Sequence, residues 1–154
     1  MFSVAFRPGG AILAAASADD VTRLWSVTDP VRPRALGAPL TGPVSYVYSV
    51  AFSPDGKTLA AGVTGGTVWL WNLADPSHPS LAATLNGPNG HVYTVAFSPS
   101  GRVVAAGSAD GTVRLRDTSP GAAAAAVCGN DGQAMTQAGW DTYVPGLAYQ
   151  RPCP

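Results

Sequence analysis

The sequence predicts an all-β chain made of about three copies of one four-stranded antiparallel sheet. Three observations point there. A block recurs: "VAFRPGGAILAAASADDVTRLWS" from Val4, "VAFSPDGKTLAAGVTGGTVWLWN" from Val50 and "VAFSPSGRVVAAGSADGTVRLRD" from Val95. The offsets are 46 and 45 residues, and the copies align without a gap, which is the signature of a repeat architecture. The chain also holds 18 Gly and 14 Pro in 154 residues, a density of turn formers that suits short strands better than helices. Finally, all nine acids are Asp and none is Glu; Asp favours turns and caps, whereas Glu is the better helix former.

Each copy reads element by element. "VYSVAF" (47–52) and "VYTVAF" (92–97) alternate with a period of two, so Tyr, Val and Phe share one face of a first strand. "RPGG" (7–10), "SPDG" (53–56) and "SPSG" (98–101) form the next turn, with Pro presetting φ and the last Gly taking the left-handed position. "TLAAG" (58–62) and "VVAAG" (103–107) make a second strand whose alanines leave room for a close neighbour. "ADD", "TGG" and "ADG" turn the chain again, and "VTRLW" (21–25), "TVWLW" (67–71) and "TVRLR" (112–116) form a third strand. After a looser loop, "ALGAPL" (35–40) and "LAATL" (81–85) supply a fourth, with no clear counterpart in copy three.

The opening stretch carries an arginine, a short apolar run and "ASA", the outline of an export signal. Its counterparts "TLAAGVTGG" and "VVAAGSADG" lie mid-chain, so it is read as the folded start of copy one and the chain as cytoplasmic. Nine basic residues balance nine acidic ones, leaving no basic footprint for nucleic acid. No apolar run reaches the roughly 20 residues of a membrane helix. The two cysteines, Cys128 and Cys153, stand close to the C-terminus; they fit a reducing compartment or at most one disulfide between them.

The period, the "VAFSPDG" and "SADGTVRL" turns, and a Trp near the end of the third strand resemble the WD-repeat β-propellers, over residues 4 to about 118. The resemblance implies a partial β-propeller with blades near 4–41, 47–86 and 92–118. It also implies a buried tetrad of His, Ser or Thr, Asp and Trp in each blade. Carried over residue by residue, copy three offers His91, Ser108 and Asp110 with Arg116 in place of Trp; copy one offers Ser17, Asp19 and Trp25; copy two keeps Trp71. No copy holds the full set, so apolar packing carries the blades.

Residues 119–154 leave the repeat as a helical and extended tail expected to pack on the last blade. Ser119 caps and Pro120 opens an alanine-rich helix stopped at Gly129. Thr136 caps a second helix bearing Trp140, Tyr143 and Val144. This tail resembles the segment after the last blade in bacterial multidomain WD-repeat regulators. Three blades fall short of the roughly four to eight that close a ring. The chain is therefore read as the C-terminal piece of a longer propeller, with self-association through open blade faces, or a tail that covers one face, as alternatives.

No nucleophile elbow, metal-ligand spacing or phosphate-cradling loop occurs. No catalytic, cofactor-binding or metal-binding residues are expected, and no cofactor. His91 reads as a hydrogen-bonded blade-edge histidine and His78, in "DPSHPS", as a solvated loop residue. The expected function is a non-catalytic scaffold for a protein or peptide partner, at the sensory end of a larger bacterial signalling protein. An inert remnant of such a protein is the alternative, and a propeller enzyme the remotest reading.

Overall fold

The computed structural model describes residues 1–43, 45–86 and 89–119. Two compact units are distinguished, Met1–Arg116 and Asp117–Pro154, and the architecture below belongs to the first. The expected tail helices and the cysteines Cys128 and Cys153 lie outside the described residues.

The described strands form three antiparallel sheets, each in simple chain order. The first holds β1 (Ser3–Phe6), β2 (Ile12–Ala16), β3 (Thr22–Ser26) and β4 (Arg34–Ala35). The second holds β5 (Val47–Phe52), β6 (Thr58–Val63), β7 (Thr67–Asn72) and β8 (Ser80–Asn86). The third holds β9 (Val92–Phe97), β10 (Val103–Ser108) and β11 (Val113–Asp117). No helix occurs among the described residues. The export-like opening is built into β1 and β2, paired from Ser3 with Ala16 to Phe6 with Leu13.

The first turn of each copy closes in the same way. Gly10, Gly56 and Gly101 donate to the carbonyls of Arg7, Ser53 and Ser98 at 2.8–2.9 Å, with φ of 74°, 68° and 72°. In copy two the buried Ser53 hydroxyl also donates to Asp55 Oδ1 at 2.5 Å and accepts from Thr58 N at 2.9 Å. That hydrogen bond, followed by one from the Lys57 amide, holds the Asp55 carboxyl below the usual carboxylate range.

The fourth strand departs from the sequence reading in copy one. It is expected over 35–40 but spans only Arg34–Ala35, and the chain returns to β3 through a single bridge between Thr22 and Leu40. Gly37 takes a left-handed φ of 69°, and Pro39 offers no N–H to a ladder, so the pairing cannot run on. In copy two, where neither residue intervenes, β8 is continuous over seven residues.

The core lies between sheets. One cluster joins Ile12, Ala14 and Leu24 of the first sheet to Val50, Leu59 and Trp71 of the second. Another joins Ala60, Val68 and Leu70 of the second to Val92, Val95 and Val104 of the third. The second sheet is thus covered on both faces, as alternation along a strand requires. Close approach depends on small residues. A Cβ on Gly62 would stand 2.6 Å from Val92 Cγ1 and 3.0 Å from the Val92 carbonyl oxygen.

Two expectations follow. Thr22 is fully buried and its hydroxyl has no hydrogen-bond partner among the described residues, where copies two and three carry Val68 and Val113. Thr22→Val removes an unpaired buried polar group and should stabilise the chain by about 1 kcal/mol, read from urea denaturation midpoints. Gly62→Ala should cost about 1–3 kcal/mol by forcing the second and third sheets apart, checked in the same assay.

Candidate interaction site

The first strands of neighbouring sheets lie side by side, with β5 against both β1 and β9. The repeat therefore places equivalent residues next to each other in space. Phe2, Tyr48 and Tyr93 each precede the Val of "VAF" by two residues. Their rings form a ladder: Phe2 to Tyr48 at 5.0 Å, tilted by 48°, and Tyr48 to Tyr93 at 5.0 Å, edge to face at 82°. Both spacings fall in the favourable range for aromatic pairs.

Two further rings flank it. Tyr46 lies 6.0 Å from Phe2 and 6.2 Å from Tyr48. His91 lies 6.1 Å from Tyr48 and 6.2 Å from Tyr93. Phe2, Tyr46 and Tyr93 are each about half exposed, at 49%, 48% and 53%. Five ring side chains thus run across three sheets with much of their surface in water.

The ladder is anchored by hydrogen bonds between sheets and turns. The His91 ring accepts from the Gly65 amide of the second sheet at 3.4 Å, through Nδ1. Its backbone carbonyl accepts from Ala109 N at 2.9 Å. The Tyr46 carbonyl accepts from Thr64 N at 3.1 Å. Asp110 ties the approach to His91 onto the β10–β11 turn: Oδ2 accepts from Asn89 N at 3.2 Å, and Oδ1 from the amide and hydroxyl of Thr112 at 2.9 and 2.6 Å. Those Thr112 bonds first, then Ser108 and the Asn89 amide, hold the Asp110 carboxyl below the usual carboxylate range.

The residues that the sequence reading drew toward tetrads are distributed as follows. Ser108 Oγ accepts from Asp110 N at 3.3 Å, so these two meet at one turn, while the His91 ring turns to Gly65 in the preceding sheet. Asp19 is bonded to Arg23 at 2.7 Å and also to Ser17, and the Arg23 bond leads in holding its carboxyl below the usual range. Trp25 is half-buried and pairs across the ladder with Leu13 and Ala35. Trp71 is buried in the core cluster and stacked on Trp69 at 5.9 Å. Arg116, in the Trp position of copy three, donates to the Asn86 carbonyl at 3.3 Å. His78 pairs with Asp75 at 2.8 Å in an exposed loop.

Sequence reading places Tyr48 and Tyr93 on strand faces within their own copies, leaves Phe2 unassigned, and does not find the ladder. The signal was present: one aromatic at one repeat position, three times over. Among the described residues, no three His, Cys, Asp or Glu side chains gather as a metal-binding group, and no helix is long and apolar enough to cross a membrane.

A depressed carboxylate pKa stabilises the fold above the ordinary aspartate value near 4 and loses that contribution as pH falls through the folded value. Thermal melts from pH 7 to 3 should therefore show stability falling at the acid end. Asp110→Ala should melt lower at pH 7 and fall less steeply in acid, because one of the contributing carboxylates is gone.

Three stretches of the chain, residues 1–26, 36–72 and 79–117, match the family model described as WD domain, G-beta repeat. The first match covers β1–β3, the second β5–β7, and the third β8–β11, so the third opens with the last strand of the second sheet. None of the curated proteins compared with the chain matches it.

Proposed function

Because the chain belongs to the WD domain, G-beta repeat family, whose members generally scaffold protein–protein interactions, we propose that it is a non-catalytic interaction module that grips an extended, proline-containing stretch of a partner protein along Phe2, Tyr48 and Tyr93. The observation that carries this reading is the ladder itself: ring centroids 5.0 Å apart across three sheets, with its end members half exposed. Rigid aromatic side chains supply large contact area at low entropy cost, and their polar tips can pair with backbone carbonyls. Proline-rich segments dock on such aromatic surfaces because their extended conformation is preformed and they ask for few N–H acceptors.

The finer setting is part of the same proposal. In this proposal the module sits at the sensory end of a larger bacterial signalling protein in the cytoplasm, a setting that rests on the resemblance read from residues 119–154 alone. The alternative of an inert remnant predicts a surface with no ligand.

A displayed library of extended proline-containing peptides separates the two. Binders should emerge, and Tyr48→Ala should weaken them by roughly thirtyfold, as hot-spot aromatics do. Tyr93→Ala, at a more exposed ring, should act similarly without disturbing the fold, while Arg102→Ala should leave binding unchanged. Fluorescence anisotropy with a labelled peptide reads each constant. A library without binders, or binders indifferent to both tyrosines, would overturn the reading.

A further inference from the structure

We propose that two copies of this chain join head to tail, the third sheet of each against the first sheet of the other, closing a ring of six sheets. The surfaces involved are, among the described residues, exposed counterparts of the two junctions already present within the chain.

Each internal junction has two sides. The leading side is Leu24 of the first sheet or Leu70 of the second, backed by alanines; the trailing side is Val50 and Phe52 or Val95 and Phe97. The repeat puts Leu115 and Val113 in the leading positions of the third sheet, and they are 65% and 70% exposed. It puts Val4 and Phe6 in the trailing positions of the first sheet, and they are 55% and 65% exposed. Large apolar side chains are thus exposed on both faces, and each face is the repeat equivalent of one that is buried against the other kind.

The polar contacts follow the same register, and the turns nest through adjacent repeat positions. At the first junction Val50 N donates to Ser3 Oγ at 3.4 Å; at the second, Val95 N donates to Ser49 Oγ at 3.2 Å. The next acceptor in the series is the hydroxyl of Thr94, which is exposed, and the matching donor position is Val4 N. The turns also nest. Arg7 lies over Gly56, with Nε 2.8 Å from where a Cβ would stand, and Pro54 lies over Gly101, with Cδ at 3.3 Å. Gly10, the equivalent position in the first sheet, has nothing within 4 Å and is open to Pro99 of a second copy. Finally, the aromatic series would run on from Tyr93 of one copy to Phe2 of the next.

A surface of this kind is heterologous, one patch fitting a different patch, so association either closes or propagates. Six sheets lie within the roughly four to eight at which radial sheets close, which selects a closed pair. The proposal does not depend on the peptide reading, since the joint is made by β1, β9 and β11, not by the ligand.

Light scattering of the full chain over a concentration series should give twice the 15.6 kDa chain mass. Leu115→Asp and Phe6→Asp change exposed residues and should leave the fold intact, yet each should weaken association by about tenfold or more, because a carboxylate would have to be desolvated at the joint. The two variants mixed together should recover a heterodimer, since one undamaged joint remains between Leu115 of the Phe6→Asp chain and Phe6 of the Leu115→Asp chain. A constant single-chain mass, open-ended growth, or no recovery on mixing would each overturn the proposal.

Discussion

How closely two sheets can approach is the constraint on which this molecule depends. The second strand of each sheet carries alanine or glycine at its centre: Ala14 to Ala16, Ala60 to Gly62, Ala105 to Gly107. Large side chains there would hold the sheets apart, since interiors are packed to crystal density and tolerate little excess volume. With small residues, Val92 and Val95 close over Gly62, and Leu59 and Leu24 bury almost completely. The valines, leucines and Trp71 then do the burying, from strands on either side.

That close approach has consequences beyond the core. It brings backbone amides of one sheet within reach of serine hydroxyls of the sheet before it, at Ser3 and Ser49. It also brings the aromatic side chains near the start of the first strands into mutual contact. A chain built from a repeat thus acquires a feature that no single copy contains: one ring per sheet becomes a strip only when sheets stand at this spacing. The strip's polar anchors, Gly65 to His91 and Asn89 to Asp110, are themselves contacts between a turn and a neighbouring segment.

Charge has a local part to play. Asp19, Asp55, Asp75 and Asp110 all accept hydrogen bonds within a few residues, and each carboxyl is held below its usual range. These residues fix turns and loops. Exposed pairs such as Arg23 with Asp19 add little to global stability in water, and their service is to set the turn geometry from which the strands leave.

The sequence alone determined the strands and the turns, because those depend on residues close together in the chain: alternation in "VYSVAF", Pro and Gly in "SPDG", alanines in "TLAAG". It also determined that three copies exist, since the 46 and 45 residue offsets are visible in one dimension. It misjudged β4, where Gly37 and Pro39 outweigh an apolar pattern. Tertiary structure decided which copies touch and through which atoms. His91 could be assigned to its own copy on paper, yet its ring meets Gly65 of the copy before, and Tyr48 meets rings from both neighbours. Such contacts join residues about a repeat apart or more, and they follow from the angle and distance between sheets, which no local pattern of side chains encodes.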